Sequence, residues 1–185
     1  MVYSMVNVPE SHYSCRWDSF DWENKKLLRG YLESFVKGNR KGITFIGKPG
    51  VGKTHLMVAT YLELQKTGKL PGSQVIFWDW MDLLKYLRQG FDHKIRADVT
   101  VPKMCEVEYL LIDDVKPEST GSFWQQMLEL VIESAYNSTT KIILSTNADD
   151  NEELITRWNL SDYHVSRLAH LCDIIVLKGK DKRVE

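Results

Sequence analysis

"GKPGVGKTHL", residues 47–56, decides the fold. It stands between the apolar run "GITFIG" (42–47) and the helical pattern "KTHLMVATYLELQKTG" (53–68), which Gly68 closes. Gly47, Lys48, Pro49, Gly50, Val51, Gly52, Lys53 and Thr54 fit G-x-x-x-x-G-K-[ST] at every fixed position. The strand–turn–helix setting is the one the pattern needs. Glycines let the backbone turn so that successive N–H groups face one point and form an anion nest. The helix starting near Lys53 adds the positive end of its dipole. Lys53 brings a cation to the outer phosphates, and Thr54 offers a hydroxyl to Mg²⁺.

Four more apolar runs follow: "QVIFW" (74–78), "VEYLLIDD" (107–114), "TKIILSTN" (140–147) and "DIIVLKG" (173–179). They carry little polar alternation, which predicts parallel strands covered on both faces. Helical patterns fit between them. Trp80, Leu83, Leu84 and Leu87 share one helix face, and Ser122 with Gln125 has capping-box spacing. Strands alternating with helices predict an α/β fold, with a five-stranded parallel sheet between helices and right-handed crossovers. Residues 1–12 read as a flexible leader and 13–185 as a single nucleotide-binding core.

Composition narrows the class. The 185 residues are 43% hydrophobic and 26% charged, as in ordinary globular domains. The net charge of -1 does not announce a nucleic-acid binder, so any basic surface must be local. Cys15, Cys105 and Cys172 are far apart, odd in number and free of CxxC spacing, which points to a reduced, cytoplasmic setting. No run approaches the roughly 18 apolar residues of a membrane span.

Three further sites carry chemistry. Asp113 and Asp114 end an apolar strand, at the carboxyl edge where open α/β sheets bind ligands. Asp113 is placed to hold Mg²⁺, and Asp114 to orient or deprotonate an attacking water; without the glycine loop, the pair would read as a turn cap. Asn147 ends the next strand, either as a water-holding group or as an ordinary turn residue. Arg167 lies roughly 150° from the Val165/Leu168/Ala169/Cys172 stripe at about 100° per residue, so it faces outward. It reads as a solvated arginine or as a finger given to a neighbouring subunit's nucleotide.

The order G-K-P-G-V-G-K-T-H, L-L-I-D-D, S-T-N, V-S-R-L and G-K-D-K-R resembles the AAA+ ATPases of the DnaC type. These are replicative helicase loaders, with the DnaI proteins and the IstB-like transposition helper ATPases as relatives. The resemblance spans about residues 15–183. It implies ATP as the nucleotide and extends the binding set to His55. It also implies Asn147 as a sensor, Arg167 as an arginine finger, and Arg183 as a second sensor on the phosphates. "CRWDSFDWEN" (15–24) resembles a lead-in that contacts adenine. The segment around residues 79–105 corresponds to a helical insertion that binds single-stranded DNA, with Lys85, Arg88, Lys94 and Arg96 as the candidate contacts.

The partners so implied are a DnaB-like replicative helicase, single-stranded DNA, and further copies of the chain in an oligomer or filament. Two departures stand out. Val115-Lys116 follows the acidic pair where the family usually has Leu-Gly, and Ala135 precedes Tyr136 where many members have arginine. No full C-terminal lid is expected, so the nucleotide should be open to solvent until a neighbour covers it, with slow hydrolysis by the monomer. A transposition helper is the alternative reading, and a small P-loop kinase a more distant one.

Overall fold

The computed structural model describes residues 8, 10–23, 25–39, 41–66, 75–89, 96–118 and 122–182. After a 3-10 turn at Glu10–His12 come α1 (Lys26–Val36), β1 (Gly42–Ile46), α2 (Lys53–Lys66) and β2 (Val75–Asp79). Then follow α3 (Trp80–Gln89), α4 (Ala97–Met104), β3 (Tyr109–Asp113), α5 (Phe123–Tyr136) and β4 (Lys141–Thr146). The chain continues through α6 (Asn151–Trp158), α7 (Asp162–Leu171) and β5 (Cys172–Val176). The five strands form one parallel sheet in the order β2-β3-β4-β1-β5. This is the α/β sheet that the apolar runs predict. Residues 1–7, part of the expected leader, lie outside the described residues; Val8 is buried.

Strand pleat divides the core into two layers. Ile43, Phe45, Val75, Phe77, Tyr109, Leu111 and Ile143 face α1, α2 and the lead-in. The alternate residues, including Ile46, Ile76, Trp78, Leu110, Ile112, Ile142 and Leu144, face α3 to α7. Successive side chains along a strand point to opposite faces, so a strand covered on both faces must be apolar throughout. The stripe Trp80/Leu83/Leu84/Leu87 is buried as its spacing predicts. Helix α3 starts straight from β2, because Asp79 Oδ1 accepts from the backbone N–H groups of Met81 (2.9 Å) and Asp82 (3.1 Å).

Two local readings change. Ser122 does not form a capping box with Gln125. Its backbone (φ -100°, ψ 3°) is outside the extended region from which a cap side chain reaches the first turn, and Gln125 instead donates to Glu129 and to the Asn159 carbonyl. A side-chain cap sits at α6, where extended Asp150 accepts from Glu153 N–H at 2.9 Å and Glu153 accepts from Asp149 N–H. The stripe in α7 also breaks early. Cys172 is the first residue of β5, and Ala169 is exposed. All three cysteines are free and buried, and burial pushes the Cys105 and Cys172 thiols up to about 12.

Phe45 is fully buried on the central strand that leads into the glycine loop. Phe45→Ala is expected to cost about 3–5 kcal/mol. In a chain of this size that reads as a fall in Tm of the order of 10 °C in a thermal melt. A fall of only a degree or two would show that the α1/α2 layer repacks around the gap.

Candidate nucleotide site

Sheet order assembles the site. Inserting β4 between β1 and β3 brings three strand ends side by side: the glycine loop after β1, Ser145-Thr146-Asn147 on β4, and Asp113-Asp114 on β3. The loop Gly47–Gly52 then turns into α2. Gly50 (φ 79°) and Gly52 (φ 100°) adopt left-handed backbone that L side chains rarely take. A Cβ on Gly52 would also lie 2.8 Å from Phe20 Cε2, so the lead-in ring closes directly over the loop.

Lys53 is buried at the start of α2. Its ammonium donates to the carbonyls of Gly47 (2.7 Å) and Lys48 (2.9 Å) and to Asn147 Oδ1 (2.8 Å). Asn147 Nδ2 in turn donates to Asp114 Oδ1 at 3.4 Å. Asn147 therefore bridges the loop lysine and the acidic pair, a juxtaposition that only the strand order creates.

Asp113 is buried, and Ser145 Oγ donates to its Oδ1 at 2.5 Å. Thr54 hydrogen-bonds the same carboxylate. Burial raises the Asp113 pKa, with Asp114 and Asp79 adding to the shift against the two hydroxyls. A desolvated carboxylate beside a hydroxyl is the hard oxygen set that suits Mg²⁺, which takes few protein ligands when phosphates supply the others. Asp114 follows with φ 54°, its N–H on Ser145 Oγ at 2.9 Å. Ser145 thus orients both acids, a role that its place in "STN" gave no means of reading.

The remaining predicted residues fall out unevenly. The His55 ring turns to the lead-in, bonding the Arg16 carbonyl at 2.9 Å and packing on Phe20, so it braces the lead-in. Arg167 does not face outward. It lies over the rings of Tyr163 (3.8 Å) and Tyr136 (4.6 Å) and pairs with Glu133. Helical angle fixes only where a side chain leaves the backbone, and a long arginine folds along the surface to reach an acid and two aromatic faces.

Lys85 pairs with Asp82 at 2.9 Å, and Arg96 with Asp98 at 2.7 Å. Arg88 forms a two-pronged pair with Glu118 over the Phe123 ring. The structure therefore gives these three cations carboxylate partners within the chain. Lys94 and Arg183 lie outside the described residues.

Two clefts flank the loop. One of about 330 Å³ is lined by Gly47, Lys48, Val51, Asp149 and Lys178. The other, about 600 Å³, lies between Asp21–Leu28 and Ile175–Gly179. Val176, Leu177, Lys178 and Gly179 line both, and the ammonium groups of Lys182 (5.2 Å) and Lys25 (5.5 Å) lie over the Phe20 ring.

Sheet, glycine loop, acidic pair and polar strand end together define a P-loop NTPase of the AAA+ type. Residues 17–185 match the family of IstB-like ATP binding proteins, and the chain belongs to that family. It is 27% identical over 197 residues to an insertion sequence IS5376 protein of Geobacillus stearothermophilus that is named for ATP binding, covering 99% of this chain and 73% of that one. It is 23% identical over 158 residues to the replicative helicase loader DnaC of Escherichia coli strain K12, covering 82% of this chain and 62% of DnaC. A crystal structure of the DnaC helicase loader superimposes with a TM-score of 0.74 at 24% identity, over 91% of this chain and 99% of that one. No described helix is long and apolar enough to cross a membrane.

The raised Asp113 pKa has a measurable sign. A carboxyl whose folded pKa lies above its unfolded value destabilises the fold once pH exceeds the unfolded value, and the penalty is complete above the folded one. Asp113→Asn is therefore expected to raise the Tm of the nucleotide-free chain at neutral pH. The gain should disappear as pH falls below the ordinary carboxylate range. A variant that melts lower than the parent at pH 7 would contradict the burial penalty.

Proposed function

We propose that this chain hydrolyses ATP and works as a replicative helicase loader on single-stranded DNA. The carrying observation is the convergence of Lys53, Thr54, Asp113, Asp114 and Asn147 at one sheet edge. In this reading the backbone N–H groups of Gly47–Thr54 hold the phosphates and Lys53 reaches the outer ones. Asp113 and Thr54 would hold Mg²⁺, which would supply positive charge against the phosphates. Asn147 positions a water, and Asp114 takes its proton as the water oxygen bonds to the γ-phosphorus. The bond from that phosphorus to the β–γ bridging oxygen breaks, and ADP leaves with the electron pair.

The lead-in cleft, lined by Asp21, Glu23, Lys25 and Leu28, takes the adenine. Arg167 serves a neighbouring copy of the chain, exchanging Glu133 for that copy's γ-phosphate, and Arg183 contacts phosphates within its own site. Lys85, Arg88 and Arg96 contact DNA by the same kind of exchange, giving up their carboxylate partners to a phosphate backbone, and Lys94 joins them in that contact. Similarity to DnaC in sequence and fold supports a helicase as the protein partner. The insertion-sequence relative supports a second reading, a transposition helper acting on duplex DNA with a transposase.

Fluorescence anisotropy of labelled single-stranded and duplex oligonucleotides under ATP, ADP and no nucleotide, at fixed salt, separates the two. ATP-dependent preference for the single strand is expected. Preference for duplex would move the assignment to the transposition helper. Lys53→Ala is expected to abolish ATP binding or turnover in a coupled phosphate-release assay, and unchanged turnover would overturn the site. Arg167→Ala should leave ATP affinity of the monomer intact and lower turnover in the assembly by roughly 10³-fold. A loss of monomer affinity would mean that it acts within its own subunit.

A further inference from the structure

Asp114 has both carboxylate oxygens engaged. Asn147 Nδ2 lies 3.4 Å from Oδ1, and Lys116 Nζ lies 2.5 Å from Oδ2. The lysine is held there by the turn that carries it. Val115, fully buried, donates its N–H to the Ser145 carbonyl at 2.8 Å and accepts from Thr146 Oγ1 at 2.5 Å. The Lys116 carbonyl accepts from Nε1 of fully buried Trp80 at 3.0 Å. Asp114 itself stands in left-handed backbone with its N–H on Ser145. Every residue from Asp113 to Lys116 is thus tied to the sheet or to α3, and the two side chains project from a fixed turn.

As a stabilising contact this pair matters little. Lys116 is 46% exposed and Asp114 35%, and ion pairs at that exposure contribute weakly to folding. Its consequence is chemical. A general base must offer a free lone pair to the proton it abstracts. Each oxygen of Asp114 keeps a further lone pair, but the ammonium on Oδ2 and the amide on Oδ1 fix the direction in which the carboxylate can offer it. The hydrogen bond that the ammonium donates to Asp114 favours its charged form, and the negative charges of Asp114, Asp79 and Asp113 add to this against desolvation.

We infer that Lys116 is a positioning residue that restrains Asp114, so that ATP hydrolysis waits on release of the carboxylate from this ammonium. The inference rests on the reading of Asp114 as the base that receives the water proton. Lys116 exchanges no atoms in the reaction; it competes with the attacking water for one oxygen.

Steady-state hydrolysis of Mg²⁺-ATP by the full chain tests this with Lys116→Ala, Asp114→Asn and the double variant. Lys116→Ala is expected to raise kcat by about threefold or more, with KM little changed. The rise should vanish in the Asp114→Asn background, because the restraint acts only through that carboxylate. An unchanged or lower kcat in Lys116→Ala, with Asp114→Asn inactive, overturns the restraint and leaves the base assignment standing. A rise that persists without the Asp114 carboxylate also overturns it. Wild-type turnover by Asp114→Asn overturns the base assignment itself, and the restraint with it.

Discussion

The placement of β4 between β1 and β3 is the constraint on which the rest depends. Parallel strands need long crossovers, so chain neighbours need not be sheet neighbours. Here the crossovers bring together residues that are 94 positions apart, Lys53 and Asn147, at 2.8 Å. Because the strands are parallel and in register, their carboxyl ends fall at one level. A glycine loop alone would grip an anion. It becomes a site with reactive groups only because the neighbouring strand ends are polar.

Those polar ends interrupt an otherwise apolar sheet, and each is kept by a local compensation. Asp113 takes hydrogen bonds from Ser145 and Thr54. Thr146 spends its hydroxyl on the Val115 carbonyl. Lys53 has two backbone carbonyls and an amide oxygen. What burial still costs Asp113 is offset elsewhere in the fold, as in other sites where stability yields to function. The layer of α3 to α7 includes Trp80 and Trp158, both fully buried, and Trp80 donates to the Lys116 carbonyl next to the acidic pair.

Much of this was legible beforehand, for physical reasons. Five apolar runs have one consistent explanation, strands covered on both faces, and the glycine loop identifies its own flanking elements. Side-chain destinations were less legible. Helical spacing sets Arg167 away from the apolar stripe, yet the side chain lies against Tyr136, Tyr163 and Glu133, which come from its own helix and from α5. The partners of Arg88 and His55 are 30 and 39 residues distant, beyond any local pattern. Ser122 fails as a cap because its backbone angle, not its residue type, decides the geometry.

Among the described residues, pairing of cations with carboxylates recurs on the proposed contact surfaces. The 24 Lys and Arg are balanced by 25 Asp and Glu, and several cations of interest lie against a carboxylate of the same chain. Arg167, Arg88, Lys85 and Arg96 all use one, and so does Lys116 at the centre of the site. A phosphate that comes to Arg167, Arg88, Lys85 or Arg96 must therefore displace a carboxylate instead of simply adding to a free cation, whereas at Lys53 it meets an ammonium held by carbonyls and an amide. Exchange of partners returns less free energy than a new contact, since one ion pair is lost for each gained. Binding built from such exchanges is weak per residue and steep in the number of residues engaged. That favours a protein whose affinity for its partners appears only when several copies, or several contacts, form together.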